Sequence, residues 1–367
     1  MRYAVIMAGG AGTRLWPMSR TGKPKQMLKI LEGVDGPHSL QSLLQLSAGR
    51  LRGLVDPDKI YVCAGASYRD QILADLPLLP VAQFLGEPMG RDTANAVGFS
   101  AAILHKRDPQ ASFAVLTADH IIEPIEVFQQ ALTRGFEAVE KMPELLVTFG
   151  ITPTYPATGF GYLKAGEEIP GLKGVHKVAA FKEKPKEEMA RAYVEAGDYA
   201  WNAGTFIWKA KTILDQLQQH LPASYAGLME IADAWDTPRQ GETLRAVYPT
   251  LPKISIDFAV MEKAPQVATI AMNVEWLDVG SWPSYGETIQ ADDKGNRTGG
   301  GAAIEHLGSD RVLAVSEVPG HLIATINCHD LIIVHTPKAT LVCPAADAEK
   351  IKQLVADVER AHGKEYV

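Results

Sequence analysis

With 367 residues, 46% of them hydrophobic and 22% charged, the chain has the make-up of an ordinary globular protein, long enough for a large core and a second, smaller domain. A formal net charge of −7 argues against broad binding to nucleic acid or to an anionic membrane, while leaving room for a local cationic pocket. No apolar run approaches the roughly 20 residues of a membrane helix, the N-terminus lacks a signal peptide's layout, and Cys63, Cys328 and Cys343 show no Cys-x-x-Cys spacing, so buried free thiols in a reducing cytoplasm are expected.

Tyr3–Ala8 reads as a short buried parallel strand. It empties into Gly9-Gly10-Ala11-Gly12-Thr13-Arg14-Leu15-Trp16-Pro17, whose glycines allow the backbone to approach a ligand and aim several N–H groups into one concavity. A Walker loop needs Lys-Ser/Thr after the last glycine, and a dinucleotide loop needs a third glycine where Leu15 stands. Neither fits. What remains is a Gly-x-Gly-Thr-Arg turn followed by Lys23-Pro24-Lys25-Gln26, a receptacle suited to polyphosphate. A tight strand-to-helix turn with solvated basic residues is the competing reading.

Ser39–Leu51 has helical apolar spacing, Lys59–Ala64 reads as a second strand, and Gly86–Asn95 is a polar turn opening a small-residue helix over Thr93–His105, capped by Asp92 or Thr93. Strand alternating with helix predicts a parallel sheet flanked by helices. Ser112–Thr117 is an apolar strand, and Asp119 just past it sits where open α/β sheets bind ligands, a turn-capping aspartate being the alternative. Thr158–Tyr162 pairs two glycines with aromatics ahead of a strand. Val175–Phe181 is strand-like and delivers Lys182-Glu183-Lys184-Pro185, where the proline places Lys184 at an element boundary, by itself a solvated corner. Asn202, beside Gly204 and ahead of the strand Phe206–Trp208, reads as a turn, and Asp257 as a helix N-cap. Val267–Trp276 reads as one strand ending in Asp278, a second aspartate on the rim of the same sheet. Such a pair suits magnesium, a hard cation held by carboxylates, phosphate oxygens and water.

After Ile289 the composition changes. Short β-type runs at Arg311–Val315, Leu322–Ile326, Leu331–Val334 and Thr340–Val342, split by Pro, Gly and Asp, describe a small all-β appendage closed by a helix over Asp347–Arg360. Its apolar stripe is Ile351, Leu354, Val355 and Val358. His329 and His335 have no ligand or nucleophile spacing and read as packing residues.

Gly9–Pro17 with Leu15-Trp16-Pro17, Pro24-Lys25-Gln26, Glu87-Pro88, Thr117-Ala118-Asp119-His120, Thr158–Tyr162, Phe181-Lys182-Glu183-Lys184-Pro185, Trp201–Gly204 and Trp276–Trp282 occur in the order seen in the sugar-nucleotide pyrophosphorylases. Over nearly the whole chain the sequence resembles them, and most closely the short, monofunctional mannose-1-phosphate guanylyltransferases. The family often has valine where this chain has Lys182, a variable position. Longer members append a cupin-type isomerase domain that these residues do not contain, so isomerase activity is not expected.

The resemblance implies an α/β, Rossmann-like nucleotidyltransferase domain over residues 1–288, with a mixed, mainly parallel sheet flanked by helices. A small left-handed β-helix-like domain with a terminal helix follows over residues 289–367. It further implies a cytoplasmic homodimer that binds neither nucleic acid nor membrane and converts GTP and mannose 1-phosphate to GDP-mannose and pyrophosphate with Mg²⁺. Carried over by position, Asp119 and Asp278 are the metal ligands. Gly9, Gly10, Gly12, Thr13 and Arg14 hold the triphosphate with Lys25 alongside, Lys184 meets the sugar phosphate, Gly159, Glu183 and Asn202 lie near the sugar hydroxyls, and Glu87 reads the base. A related pyrophosphorylase for another base or sugar, or a non-catalytic sensor of the sugar nucleotide, are the alternatives.

Overall fold

Uninterrupted apolar runs such as Ala4-Val5-Ile6, fully buried, belong in the middle of a sheet covered on both faces, and that is where they lie. The structure is a computed structural model that describes residues 1–10, 12–33 and 36–367, with the side chains of residues 32–39 outside the description. The backbone groups into two units. Met1–Gly9, Ala48–Thr117 and Ile122–Trp276 form one; Gly10–Ser47, Ala118–Ile121 and Leu277–Val367 form the other.

The first unit holds a nine-stranded mixed sheet in the order Phe84–Glu87, Ile60–Gly65, Arg2–Met7, Ser112–Thr117, Tyr199–Lys209, Leu146–Ile151, Val267–Ala271, Val175–Lys182, Tyr162–Glu168. The first four strands run parallel. Tyr199–Lys209 runs antiparallel to both of its neighbours in that order, and Leu146–Ile151 is again parallel to Val267–Ala271. Small residues let the helix Asp92–Arg107 pack closely: a Cβ on Gly98 would lie 2.5 Å from Leu228 Cδ1 and 2.7 Å from Leu217 Cδ1. Phe99 on that helix meets Trp235 and Tyr248 edge-on, at ring separations of 5.2 and 5.7 Å.

The second unit contains the hairpin Lys29–Gly33 and Gly36–Ser42 and a ladder of short parallel strands, Arg297–Gly300 on Leu313–Ser316 on Leu331–His335, closed by antiparallel Thr340–Pro344. Ala303–Leu307 and Leu322–Ile326 pair in parallel beside it. These are the stacked rungs of a β-helix. Leu15, Trp16, Leu28, Trp282, Tyr285, Val315 and Val334 form its core, and the polar ends of the two large rings are satisfied: Trp282 Nε1 donates to the Trp16 carbonyl and Tyr285 Oη to that of Ile30, both at 2.9 Å. His329 Nδ1 lies 2.6 Å from Asp310 Oδ2, and the His335 ring stacks on His321 at 3.8 Å, so both histidines have structural partners.

Several elements depart from their sequence reading. The helix expected over Ser39–Leu51 begins only at Leu43, because Ser42 caps it: Gln45 N–H donates to Ser42 Oγ and Ser42 N–H to Gln45 Oε1, each at 3.0 Å. Leu40 belongs to the preceding strand. Val267–Trp276 breaks into the sheet strand Val267–Ala271 and a separate strand, Glu275–Asp278, which pairs with His120–Glu123 instead of with the main sheet. Asn202 is not in a turn but inside the strand Tyr199–Lys209, which bulges between Asn202 and Phe206 where Gly204 has φ +65°. On the C-terminal helix Ile351–His362 only Ile351 of the expected stripe is buried, and Leu354 is exposed. Of the three cysteines, all free, only Cys63 is buried.

Gly300 is fixed by two constraints: φ is +65°, and a Cβ would lie 2.3 Å from the Ser316 carbonyl oxygen. Gly320 has φ +72° but open space around it. Gly300→Ala is therefore expected to cost about 3 kcal/mol, adding overpacking to a left-handed penalty, and Gly320→Ala about 1 kcal/mol. Thermal midpoints of the two variants check the order; equal losses would show that the Ser316 carbonyl yields.

Candidate functional site

In the second unit the glycine loop is built around Lys25. Gly12 has φ +58°, and a Cβ there would lie 2.5 Å from Lys25 Cβ and 2.8 Å from its Cγ, so glycine is required both by the backbone and by the lysine stem against it. Gly12 opens the turn Thr13–Leu15, and its carbonyl accepts from Ser19 Oγ at 2.6 Å. Gly10 has φ +99°; Ala11 lies outside the described residues. Arg14 projects to the surface and pairs with Glu349 at 3.1 Å. Lys23, counted in the sequence with the polyphosphate receptacle, shares Glu317 with Arg20.

The buried Lys25 ammonium lies 2.7 Å from Asp119 Oδ2, 3.7 Å from Asp278 Oδ1 and 3.3 Å from the Val279 carbonyl. The two aspartates thus converge as expected, although Asp278 arrives on the short strand Glu275–Asp278. The Val279 N–H donates to the Asp119 carbonyl at 3.1 Å, which locks the two segments in register. Burial works to raise the Asp119 carboxyl, but the Lys25 and His120 charges outweigh it and hold it below its usual range. Asp119, His120 and Asp278 offer ligand atoms within 4.8 Å of one another. Asp278 Oδ1 is buried without a hydrogen-bond donor among the described residues, and two carboxylates with one imidazole are a donor set that accepts a divalent cation, so the residues fit a metal.

In the first unit a second group surrounds Lys184, whose φ of +46° turns the chain sharply after the strand Val175–Lys182. Its ammonium pairs with buried Glu183 at 3.2 Å. A Cβ on Gly161 would lie 2.5 Å from Glu183 Oε2, so Gly161, not Gly159, makes the close approach; Gly159 has open space around it. The Glu183 N–H donates to Glu262 Oε1 at 2.9 Å. Asn202 is held at both ends: its Oδ1 accepts from Thr148 Oγ1 at 2.7 Å, and its Nδ2 donates to Asp257 Oδ1 at 3.0 Å. Asp257 is therefore no helix cap. Ser255 performs that role, its Oγ accepting from Phe258 N–H at 3.3 Å. Burial pushes the Glu183 carboxyl up against the opposing pull of Lys184, while burial and then the Glu183 charge push Asp257 up to about 7.

Glu87 ends the edge strand Phe84–Glu87 of the same unit, buried, with its Oε1 accepting from Tyr248 Oη. Burial raises the Glu87 carboxyl and the Tyr248 bond opposes it; burial likewise raises the Cys63 thiol and the Tyr248 phenol. Sequence reasoning singled out the Gly159 and Gly161 pair, and missed Tyr248, Thr148, Glu262 and the role of Asp257. For Asp257 a signal existed, an acid leading the apolar run Phe258-Ala259-Val260-Met261; for the others the sequence carries none.

Residues 3–295 match the family model for nucleotidyl transferases, and residues 306–358 match that for the mannose-phosphate isomerase/GMP-like β-helix domain. The chain is 33% identical over 372 residues to a mannose-1-phosphate guanylyltransferase of Klebsiella pneumoniae, covering 100% of this chain and 76% of the relative. It is 34% identical to the alginate biosynthesis protein AlgA of Pseudomonas aeruginosa over 97% of this chain and 72% of that one. The crystal structure of a Thermus thermophilus protein, named a mannose-1-phosphate geranyltransferase, matches with a TM-score of 0.85 at 30% identity, covering 98% of this chain and 99% of that chain. Among the described residues no helix is long and apolar enough to cross a membrane.

The Asp257 carboxyl has a consequence for stability. Unfolded, it ionises near the ordinary value of about 4; folded, it holds its proton up to about 7. Between those values the folded chain binds the extra proton, so stability falls as pH rises through the window and the loss is complete above it. Asp257→Asn keeps an oxygen for Asn202 Nδ2 and removes the charge. Its thermal midpoint, relative to wild type, is expected to gain progressively from pH 4 to pH 7 and to stay higher at pH 8. A difference that is flat with pH would show that Asp257 ionises normally.

Proposed function

The chain belongs to the nucleotidyl transferase family, and on that footing we propose that it transfers GMP from GTP to α-D-mannose 1-phosphate, giving GDP-mannose and pyrophosphate. The observation that carries this reading is the convergence of Lys25, Asp119 and Asp278 in the unit that holds the glycine loop. The curated relatives' names support the substrates. In this reading residues 1–288 carry the chemistry and 289–367 form the β-helical appendage, in a cytoplasmic homodimer that the family resemblance supports.

The second ionisation of a phosphate monoester lies near pH 6, so mannose 1-phosphate is already largely a dianion at neutral pH and needs no general base. His120 therefore has no proton to accept. A phosphate oxygen of the sugar attacks the α-phosphorus of GTP, the bond from that phosphorus to the bridging oxygen breaks, and pyrophosphate departs in line with its electron pair. The chain's contribution is position and charge. Gly9, Gly10, Gly12 and Thr13 offer backbone N–H groups to the triphosphate, with Arg14 and Lys25 neutralising it. Lys184 offsets the incoming dianion. Glu183, Asn202 and Gly159 face the sugar hydroxyls, Gly159 on the strength of the resemblance alone. Asp119 and Asp278 hold Mg²⁺, which supplies charge neutralisation to phosphate oxygens when bound.

Glu87 would read guanine, whose N1–H and 2-amino group suit an acceptor-only carboxylate. Oε1 accepts from Tyr248, which leaves Oε2 and the second lone pair of Oε1 for the two guanine donors.

Pyrophosphate release measured across the four nucleoside triphosphates and several hexose 1-phosphates tests the reading directly. Highest kcat/KM with GTP and mannose 1-phosphate is expected; binding of GDP-mannose without turnover would identify a sensor instead. Lys184→Met keeps the stem and removes the charge, and is expected to lower kcat/KM for the sugar phosphate by about 10²-fold or more, with far less effect on GTP. Glu87→Gln is expected to weaken GTP use by about 1–3 kcal/mol and to narrow its preference over UTP and dTTP. A uniform drop across nucleotides would remove Glu87 from base selection.

A further inference from the structure

Lys25 has more than one destination for its charge. Its stem is pressed against Gly12, which fixes where the side chain starts. Its ammonium sits among three oxygens, Asp119 Oδ2 at 2.7 Å, Asp278 Oδ1 at 3.7 Å and the Val279 carbonyl at 3.3 Å, all of them hard donors of the type a divalent cation takes. Lysine is a compact point charge on a flexible chain, so its outer torsions can swing the ammonium away while Cβ and Cγ stay in place.

We propose that Lys25 is the resident cation of the acidic pair. Without nucleotide, its ammonium fills the position between Asp119 and Asp278 and keeps their affinity for a free divalent ion low; a bound triphosphate offers the ammonium new oxygens and so opens the pair. The inference rests on the proposed roles of Asp119, Asp278 and Lys25. It adds that metal and nucleotide binding are coupled through one side chain. Charge counting gives the reason. With the ammonium in place the two carboxylates present one negative charge fewer to an incoming ion than they do without it, His120 being common to both states, and a second cation within about 4 Å of the ammonium would be repelled. Coupling of this kind is reciprocal, so whatever draws Lys25 away strengthens metal binding by the same factor.

The test is Mn²⁺ binding without nucleotide or sugar phosphate, followed by the electron paramagnetic resonance signal of the free ion. Lys25→Met retains the stem against Gly12 and loses the charge, and is expected to bind Mn²⁺ at least about ten-fold more tightly than wild type, on the scale by which a charge within 4–6 Å moves a neighbouring equilibrium. Lys25→Arg retains the charge and should stay weak. In the Lys25→Met background, Asp119→Asn should abolish the gain. A second readout guards against misfolding: Lys25→Met leaves two half-buried carboxylates without their cation, so its thermal midpoint should fall without metal and recover with Mn²⁺ more than wild type does. If Lys25→Met binds Mn²⁺ no more tightly than wild type while Asp119→Asn still abolishes binding, the inference fails and the metal reading stands. If neither wild type nor Lys25→Met, both folded, takes up Mn²⁺, the metal reading fails and the inference with it.

Discussion

The ion pair of buried Lys25 with half-buried Asp119 is the constraint that organises the second unit. A charge taken out of water needs a partner of opposite sign at close range, and each of these two has one at 2.7 Å. The pair dictates what surrounds it. Gly12 must be glycine because the lysine stem occupies the space a Cβ would take, and the left-handed turn that follows from it starts Thr13–Leu15. Leu15 and Trp16 then pass directly into the core, where the Trp16 carbonyl satisfies Trp282. Asp278 is brought to the same ammonium by the segment that leads into Ser281, whose side chain caps the helix carrying Trp282. Loop, acids and core are consequences of one another.

The first unit solves a different problem, and leaves it partly unsolved. Around Lys184 stand the acids Glu183, Asp257 and Glu262, with Lys182 as the second cation. Burial raises both Asp257 and Glu183, and with three carboxylates facing two ammonium groups that are both more than half exposed, the neighbouring acids add to the rise. Buried acidity of this kind disfavours the folded state at neutral pH. It is retained where polar ligand groups would satisfy it, and sugar hydroxyls, which both donate and accept, are such groups. The hydrogen-bond chain from Thr148 through Asn202 to Asp257 holds the arrangement rigid, and the bulge at Gly204 lets a sheet strand supply Asn202 to it.

Much of this was legible in the chain alone. Buried strands declared themselves as short apolar runs, because a strand covered on both faces has no polar side to show; Arg2–Met7, Ile60–Gly65 and Ser112–Thr117 lie within a residue or two of their expected bounds. The glycine loop and the two aspartates were visible because each stands at the end of a strand, where side chains face a ligand instead of a core; Lys184, by itself a solvated corner, stood out only through the family resemblance. Partners were not legible. Glu87 and Tyr248 lie 161 residues apart, and Asn202 and Asp257 lie 55 apart, distances at which no local pattern links two side chains.

What the sequence determined by itself, then, is everything governed by neighbours along the chain: the alternation that makes an α/β sheet, the turns that need glycine, the helix stops, and the residue types able to hold phosphate and metal. What only the tertiary structure decided is which charges meet. It put Lys25 on the aspartates and Lys23 on Glu317, gave Arg14 to Glu349, set Gly161 against Glu183, and moved Asp257 from helix cap to hydrogen-bond partner of Asn202. The physical reason is range. Backbone preference acts over a few residues, whereas the energy of a buried charge is set by whatever the fold places within a few ångströms of it, from any distance in sequence.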